Sequence, residues 1–297
     1  MNSLTVPVLA CQLTPSGNQR FVQTSSSLDV NGFCFDVSFT VPESYTGKWD
    51  FLKSIYINIA LRLGGNTSGT QLALVSNVPL FDLLMYSDFI AGVTMRSTDF
   101  TAGSKARISG YIDIGFFTMG SRDALDVSIS VGTPVQFNVS MAINAVYRKT
   151  LKASIATYNT CKPTGADSPY TNVLQIFYCG DNNELNDNAV IRDELGTKTV
   201  NIEDAIAYTN SCGQFEFFER FGMLWEDTFG LSQDVSFRVP IISGDNVPTV
   251  LVKRMEFVDG LLSSNYEQSM AELGNLKAKI RENDPVKYNY LLQMGLI

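Results

Sequence analysis

The chain contains no histidine. That absence removes imidazole general bases, Ser-His-Asp and Cys-His nucleophile systems, and histidine-ligated zinc. Charge is scarce as well: Asp, Glu, Lys and Arg make up 18% of 297 residues, below the usual quarter or so. Fewer charges leave less to solvate a free surface, which points to a surface that partly meets other protein. The charge present leans acidic, with 22 Lys+Arg against 30 Asp+Glu and a net charge of −8. A pI near 4.7 argues against a broad basic face for a phosphate backbone, so direct sequence-specific nucleic-acid binding is not expected. The cysteines Cys11, Cys34, Cys161, Cys179 and Cys212 form no CxxC pair, so neither a disulfide framework nor a thiolate metal site is indicated. No apolar run approaches the roughly 18 residues of a membrane span. The opening MNSLTVPVLACQLTPSG lacks a basic n-region and a long apolar run; the expectation is a chain without an export signal, folded in a reducing cytoplasm with free thiols.

What the chain does have is apolar residues, 45% of the total, and they alternate. Phe33, Phe35, Val37, Phe39 and Val41 fall on one face of an extended segment, with Asp36, Ser38 and Thr40 on the other. Such a period of two marks a half-buried strand. The pattern returns in Ile55–Leu63, Leu125–Val131 and Val135–Ala145, and strands are also expected at Val173–Tyr178, Asp234–Ile242 and Val250–Val258. Turn chemistry separates them: Gly64-Gly65-Asn66, Gly132-Thr133-Pro134, Gly180-Asp181-Asn182 and Ser243-Gly244-Asp245-Asn246. Short helices are expected at Pro79–Tyr86 and Asn201–Tyr208, and a longer one at Ser263–Glu282, where Tyr266, Met270, Leu273, Leu276 and Ile280 recur at helical spacing.

The order of elements repeats. Strand, helix, strand, strand and strand beginning at 55, 79, 107, 125 and 135 are echoed from 173, 201, 215, 234 and 250, at offsets of 108 to 122 residues. Asp126-Val127-Ser128-Ile129-Ser130-Val131 against Asp234-Val235-Ser236-Phe237-Arg238-Val239 even shares letters. The expected fold is all-β: two tandem eight-stranded jelly rolls with short inserted helices and a C-terminal helix. Expected boundaries are an N-terminal arm over 1–30, jelly-roll 1 over 31–150, jelly-roll 2 over 151–262 and a helical tail over 263–297. The alternative for the same pattern is two unrelated β-sandwiches.

Candidates for chemistry are few. Asp181-Asn182-Asn183-Glu184-Leu185-Asn186-Asp187 is the one dense oxygen-ligand cluster, and Asp181, Glu184 and Asp187 could take a calcium ion. The spacing is not that of an EF-hand, and a solvated loop is the plainer reading. Asp113, Glu216, Glu219, Glu226 and Asp227 lie on or near strand-like stretches, as a glycosidase pair would, but acidic residues are common enough to fall there by chance. Trp49 and Trp225, the latter within the aromatic run Phe215–Phe229, could stack sugars; such a run more often builds core or subunit contact. Gly64–Thr70 lacks the Gly-Lys-Ser/Thr of a phosphate loop. No catalytic residue, cofactor site or firm metal site is expected.

Tandem jelly rolls in so short a chain, with Ile202-Glu203-Asp204-Ala205-Ile206 leading into Phe215-Glu216-Phe217-Phe218-Glu219-Arg220-Phe221-Gly222, resemble the double jelly-roll major capsid proteins of tailless icosahedral, lipid-containing bacteriophages, of the corticovirus and finnlakevirus type. The resemblance implies a homotrimer whose six barrels form a pseudo-hexagonal tile. It further implies contacts with neighbouring capsomers and minor or penton proteins, an internal membrane under the shell, and a virion location after assembly in the host cytoplasm. It carries over no catalytic residue. The alternative is a carbohydrate- or receptor-binding β-sandwich such as a viral spike.

Overall fold

The computed structural model describes residues 4–14, 19–24, 29–62, 71–91, 94–96, 100–118, 123–131 and 136–147, the strands between 154 and 256, and helical positions between 278 and 289. The first half contains β1 (Leu4–Leu13), β2 (Gln19–Thr24), β3 (Asp29–Thr40), β4 (Ile55–Arg62), β5 (Gln71–Pro79), helix α1 (Leu80–Ala91), β6 (Thr94–Arg96), β7 (Lys105–Thr118), β8 (Ala124–Val131) and β9 (Val139–Tyr147). The second half contains β10 (Ser154–Cys161), β11 (Ser168–Tyr170), β12 (Val173–Asp181), β13 (Asn188–Asp193), β14 (Gly196–Asn201), β15 (Arg220–Glu226), β16 (Val235–Arg238) and β17 (Thr249–Glu256).

Pairing sorts the first eight principal strands into two four-stranded sets, β1-β9-β3-β7 and β2-β8-β4-β5. The chain crosses between the sets at nearly every connection, which is the path of a jelly roll. The second half repeats it strand for strand as β10-β17-β12-β15 and β11-β16-β13-β14. The expectation of two tandem jelly rolls therefore holds.

The alternation seen in the sequence is the alternation of burial. Phe33, Phe35, Val37 and Phe39 of β3 are buried, as are Ile55, Ile57, Ile59 and Leu61 of β4, Leu125, Val127 and Ile129 of β8, and Val139, Met141, Ile143 and Ala145 of β9. They form one core between the two sets. Where β3 ends and β9 approaches, Phe39 is ringed by Tyr45, Trp49, Phe51 and Phe137 with centroids 4.9 to 6.0 Å away. These ring pairs are mostly edge-to-face, the arrangement favoured by the quadrupoles.

Three expectations need correction. Residues 4–13 and 19–24, expected in an arm, are the first two strands: β1 pairs with β9 and β2 with β8. In β1 the alternation is broken by a bulge. The β1–β9 register breaks between Pro7 and Leu9, so buried positions shift from the even residue Val8 to the odd residues Leu9 and Leu13, and no single period of two spans the strand. The near-constant repeat offset is the second correction. Strand β4 corresponds to β13, not to β12, and the offset falls from 150 residues between Leu4 and Ser154 to 110 between Val139 and Thr249. The first unit simply carries longer connections. Third, α1 runs from Leu80 to Ala91, further than expected, with Pro79 ending β5 rather than sitting inside the helix. Most of the helix expected over 201–208 lies outside the described residues, Asn201 being the last residue of β14. In the tail, positions 278–279, 281–283, 285 and 288–289 are helical.

Gly32 marks a tight backbone approach. A Cβ there would stand 2.3 Å from the Ile112 carbonyl oxygen and 2.5 Å from the Tyr111 ring. Gly32→Ala must push strand β7 outward, and we expect a loss of about 1–3 kcal/mol in a denaturant melt, with the unchanged far-UV spectrum of a folded β protein.

Candidate functional site: the seam between the two units

The two units are joined through their backbones. β10, the first strand of the second unit, pairs with β17 along one edge and with β7 and then β5 of the first unit along the other. It runs antiparallel to β7 at Ser154↔Phe116 and Ile155↔Gly115, and parallel to β5 at Tyr158↔Val75 and Asn159↔Ser76. Both host strands are bent to receive it. In β7, Gly115 takes φ +81°, a left-handed conformation that glycine adopts without steric cost. Its N–H donates to Asp113 Oδ1 at 2.8 Å and its carbonyl accepts from Asn31 Nδ2 at 3.2 Å. Here the β3–β7 register breaks, between Val30 and Gly32. In β5 the register against β4 breaks twice, and Asn77 sits at φ +49° with its N–H held by Asn58 Oδ1 at 2.7 Å. Bulges of this kind re-aim a strand end; here they turn β7 and β5 towards β10.

Helix α1 fills the space behind. It is apolar on every side: Leu80, Phe81, Leu83, Leu84, Met85 and Tyr86 are all buried, together with Asp82, Ser87 and Asp88. A helix without a polar stripe must be covered all round. One side lies on β7, where a Cβ at Gly110 would meet Leu84 at 2.6 Å. Ser87 Oγ there accepts the Tyr111 N–H at 2.7 Å, beyond the point where β6 pairs with β7. The other side meets the second unit. Tyr86 stacks edge-on against Tyr158 at 5.6 Å and Phe177 at 5.7 Å, and Phe89 lies 5.8 Å from Phe177. The Tyr86 hydroxyl donates to Gln175 Oε1 and the Tyr158 hydroxyl to the Asp113 carbonyl.

The electrostatics of the seam follow from this burial. Lys253 of β17 places Nζ 5.7 Å over the Tyr158 ring and 4.0 Å from Asp113 Oδ2. Burial pushes the Tyr158 phenol well above its usual 10, helped by the neighbouring Tyr86 and Asp113. On the outer face of the β1-β9-β3-β7 set, the Arg107 guanidinium grips Asp36 through Nε and Nη2, and Ser109 Oγ donates to the same carboxylate at 3.2 Å. Beside it lies a polar hollow of about 410 Å³ lined by Gln12, Ser38, Thr40, Lys105, Asn138 and Ser140.

The residues singled out in the sequence do not converge. Asp181 closes β12, in register with Arg220; Glu184 and Asp187 lie outside the described residues, and the calcium candidate is carried no further by the geometry. Among the described residues no group of three metal-ligating side chains is present. Asp113 is at the seam and Glu226 is in register with Gln175; Glu216, Glu219 and Asp227 lie outside the description. Trp49 is 1% exposed, so it serves the core and cannot stack a sugar. Trp225 stands in β15 opposite Ile176. The seam residues Tyr86, Tyr158 and Phe177 were not singled out; the only signal was that Leu80–Tyr86 is apolar at every position but Asp82.

No protein-family model matches the chain, and no curated protein matches it in sequence. Its fold is similar to that of the STIV MCP, the major capsid protein of Sulfolobus turreted icosahedral virus: TM-score 0.54 at 11% identity, covering 89% of this chain and 99% of that one. Also similar are the major capsid protein of bacteriophage PM2 (TM-score 0.47, 8% identity, 87% and 99% covered) and PBCV-1 VP54 fitted into the virophage Sputnik reconstruction (TM-score 0.46, 7% identity, 88% and 96% covered). The likeness to the first supports the double jelly-roll fold.

The seam predicts an alkaline limit. Tyr45, at the aromatic cluster, is also raised, to about 12, mainly by burial. A phenol held neutral in the fold but ionising at 10 once unfolded favours unfolding as pH rises above 10. Thermal stability should therefore begin to fall near pH 9, where the Cys11 thiol, also raised by burial, ionises once unfolded, and fall more steeply above pH 10. Tyr158→Phe should flatten that fall while costing about 1–2 kcal/mol at pH 7, because the Asp113 carbonyl loses its Tyr158 donor; melts between pH 7 and 12 check both.

Proposed function

We propose that this chain is the major coat subunit of an icosahedral, membrane-containing virus. It would assemble as a homotrimer into pseudo-hexameric capsomers that meet neighbouring capsomers and minor or penton proteins in the virion. Assembly would take place in the host cytoplasm, around an internal lipid bilayer. The observation that carries this reading is the strand-for-strand repeat: two equivalent jelly rolls locked side by side give three chains six similar lobes, and six lobes pack on a hexagonal lattice. The fold likeness to a major capsid protein supports it, and so does the low charge, because a shell buries much of each subunit's flank.

Its work would lie in lateral contacts, with no catalytic step. The reading as a carbohydrate- or receptor-binding sandwich loses one of its two tryptophans to the core, since Trp49 is buried.

Purified protein should give a mass of about 98 kDa by light scattering, three times 32.7 kDa, and should be the most abundant band of purified particles. A chain that stays monomeric at millimolar concentration, or is a minor band, would overturn the proposal.

A further inference from the structure

The chain ends its two units unequally. Strand β10 opens the second unit and has its outer edge taken by β7 and β5. Its counterpart β1 opens the first unit, and among the described residues it pairs only with β9. At the other end, β14 pairs only with β13 and β15 only with β12 among the described residues. These two are the counterparts of β5 and β7, the strands that hold β10. Among the described residues, one chain therefore offers an opening strand with one edge unpaired at one end and a matching pair of host strands at the other.

We infer that β1 of one copy seats against β14 and β15 of a second copy, repeating between chains the strand insertion that joins the two units within a chain. This rests on the coat-subunit reading and names its contact. The correspondence can be placed by register. Tyr158 and Asn159 face Lys253 and Val252, while Leu9 and Ala10 face Ile143 and Ala142, each pair equally far along β17 and β9. Leu9 and Ala10 thus stand where Tyr158 and Asn159 meet Val75 and Ser76. Counted from their hairpins, Val200 and Asn201 of β14 hold the places of Val75 and Ser76. Leu4 and Thr5 would lie by the Glu226 end of β15, as Ser154 and Ile155 lie by Gly115 and Phe116.

Pro7 agrees with this placement. Proline belongs on an edge strand, where its missing N–H faces no partner. In β10 the residues between its two contact points, Ala156 and Thr157, pair with neither β7 nor β5. Pro7 lies in that same interval of β1, so it removes no bond that the inserted strand would make. A ten-residue edge left unpaired, as that of β1 is among the described residues, is otherwise an aggregation hazard. Two different surfaces that fit each other make a head-to-tail contact, which closes into a ring when the turn per step divides the circle. With two units per chain, three chains close if each unit is turned by a sixth of a circle on the one before it.

The test is disulfide trapping in a Cys11→Ser background. Ala10→Cys is combined in turn with Val200→Cys and with Asn201→Cys, each single substitution serving as control. Oxidation of the assembled protein should yield covalent two- and three-chain species from at least one double variant and none from the single ones. Because a variant could fail to fold, amide exchange on the unaltered chain gives a second reading. Amides within 4–13 and 196–201 should slow on the order of tenfold between dilute monomer and assembled protein. A trimer by light scattering that shows neither cross-link nor added protection would overturn the strand insertion and leave the coat reading standing. A chain monomeric at every concentration would overturn both.

Discussion

Strand β10 belongs to the second unit by its pairing with β17 and to the first by its pairing with β7 and β5, and the architecture depends on that double allegiance. The backbone bonds set the position of one unit on the other, but they are few. At about 0.5–1.5 kcal/mol net each, they fix register more than they supply energy. The larger share comes from burial: Tyr86, Tyr158 and Phe177 are at most 1% exposed, and a fully buried large side chain is worth about 1.5–3 kcal/mol. The aromatic wedge on α1 holds the units together and the strand insertion decides how they are turned.

The wedge explains features that look unrelated along the chain. A helix between β5 and β7 would ordinarily show a polar stripe. This one cannot, because its solvent side is occupied by the second unit. Gly110 is bare because α1 lies on it, and Ser87 supplies the bond that β7 lacks once β6 has ended. The glycine at 115 and the left-handed Asn77 are the bends that bring two strands of different sheets to one edge. Each departure from regular strand geometry in this region serves the same contact.

How much of this could be read from the residues follows from what a period of two reports. It reports one buried face, so β3, β4, β8 and β9 were legible through Phe33–Phe39, Ile55–Leu61, Leu125–Ile129 and Val139–Ala145. It fails where a bulge changes phase, which hid β1 behind Val8 and Leu9. It also fails where a strand is short, as with β11, and the repeat was consequently recognised with β4 matched to the wrong partner. The seam was the least legible part. Pairing of β10 with β5 and β7 is made by backbone groups that every residue carries, and only Leu80–Tyr86, apolar but for Asp82, hinted that a second surface covers α1.

The missing histidine takes on meaning against this seam. A joint between protein surfaces that must loosen under mild acid commonly holds imidazoles, the only side chains whose ordinary pKa lies between about 5 and 8. None exists here. The shifted groups at the seam and at the aromatic cluster are phenols, and burial moves both of them away from neutrality. Lys253 is shielded by the Tyr158 ring and by Asp113, so its charge is met on two sides. A joint built from aromatic rings, strand bonds and paired charges has no imidazole through which a fall in pH could open it, and that constancy suits a part whose task is to keep two units in one fixed relation.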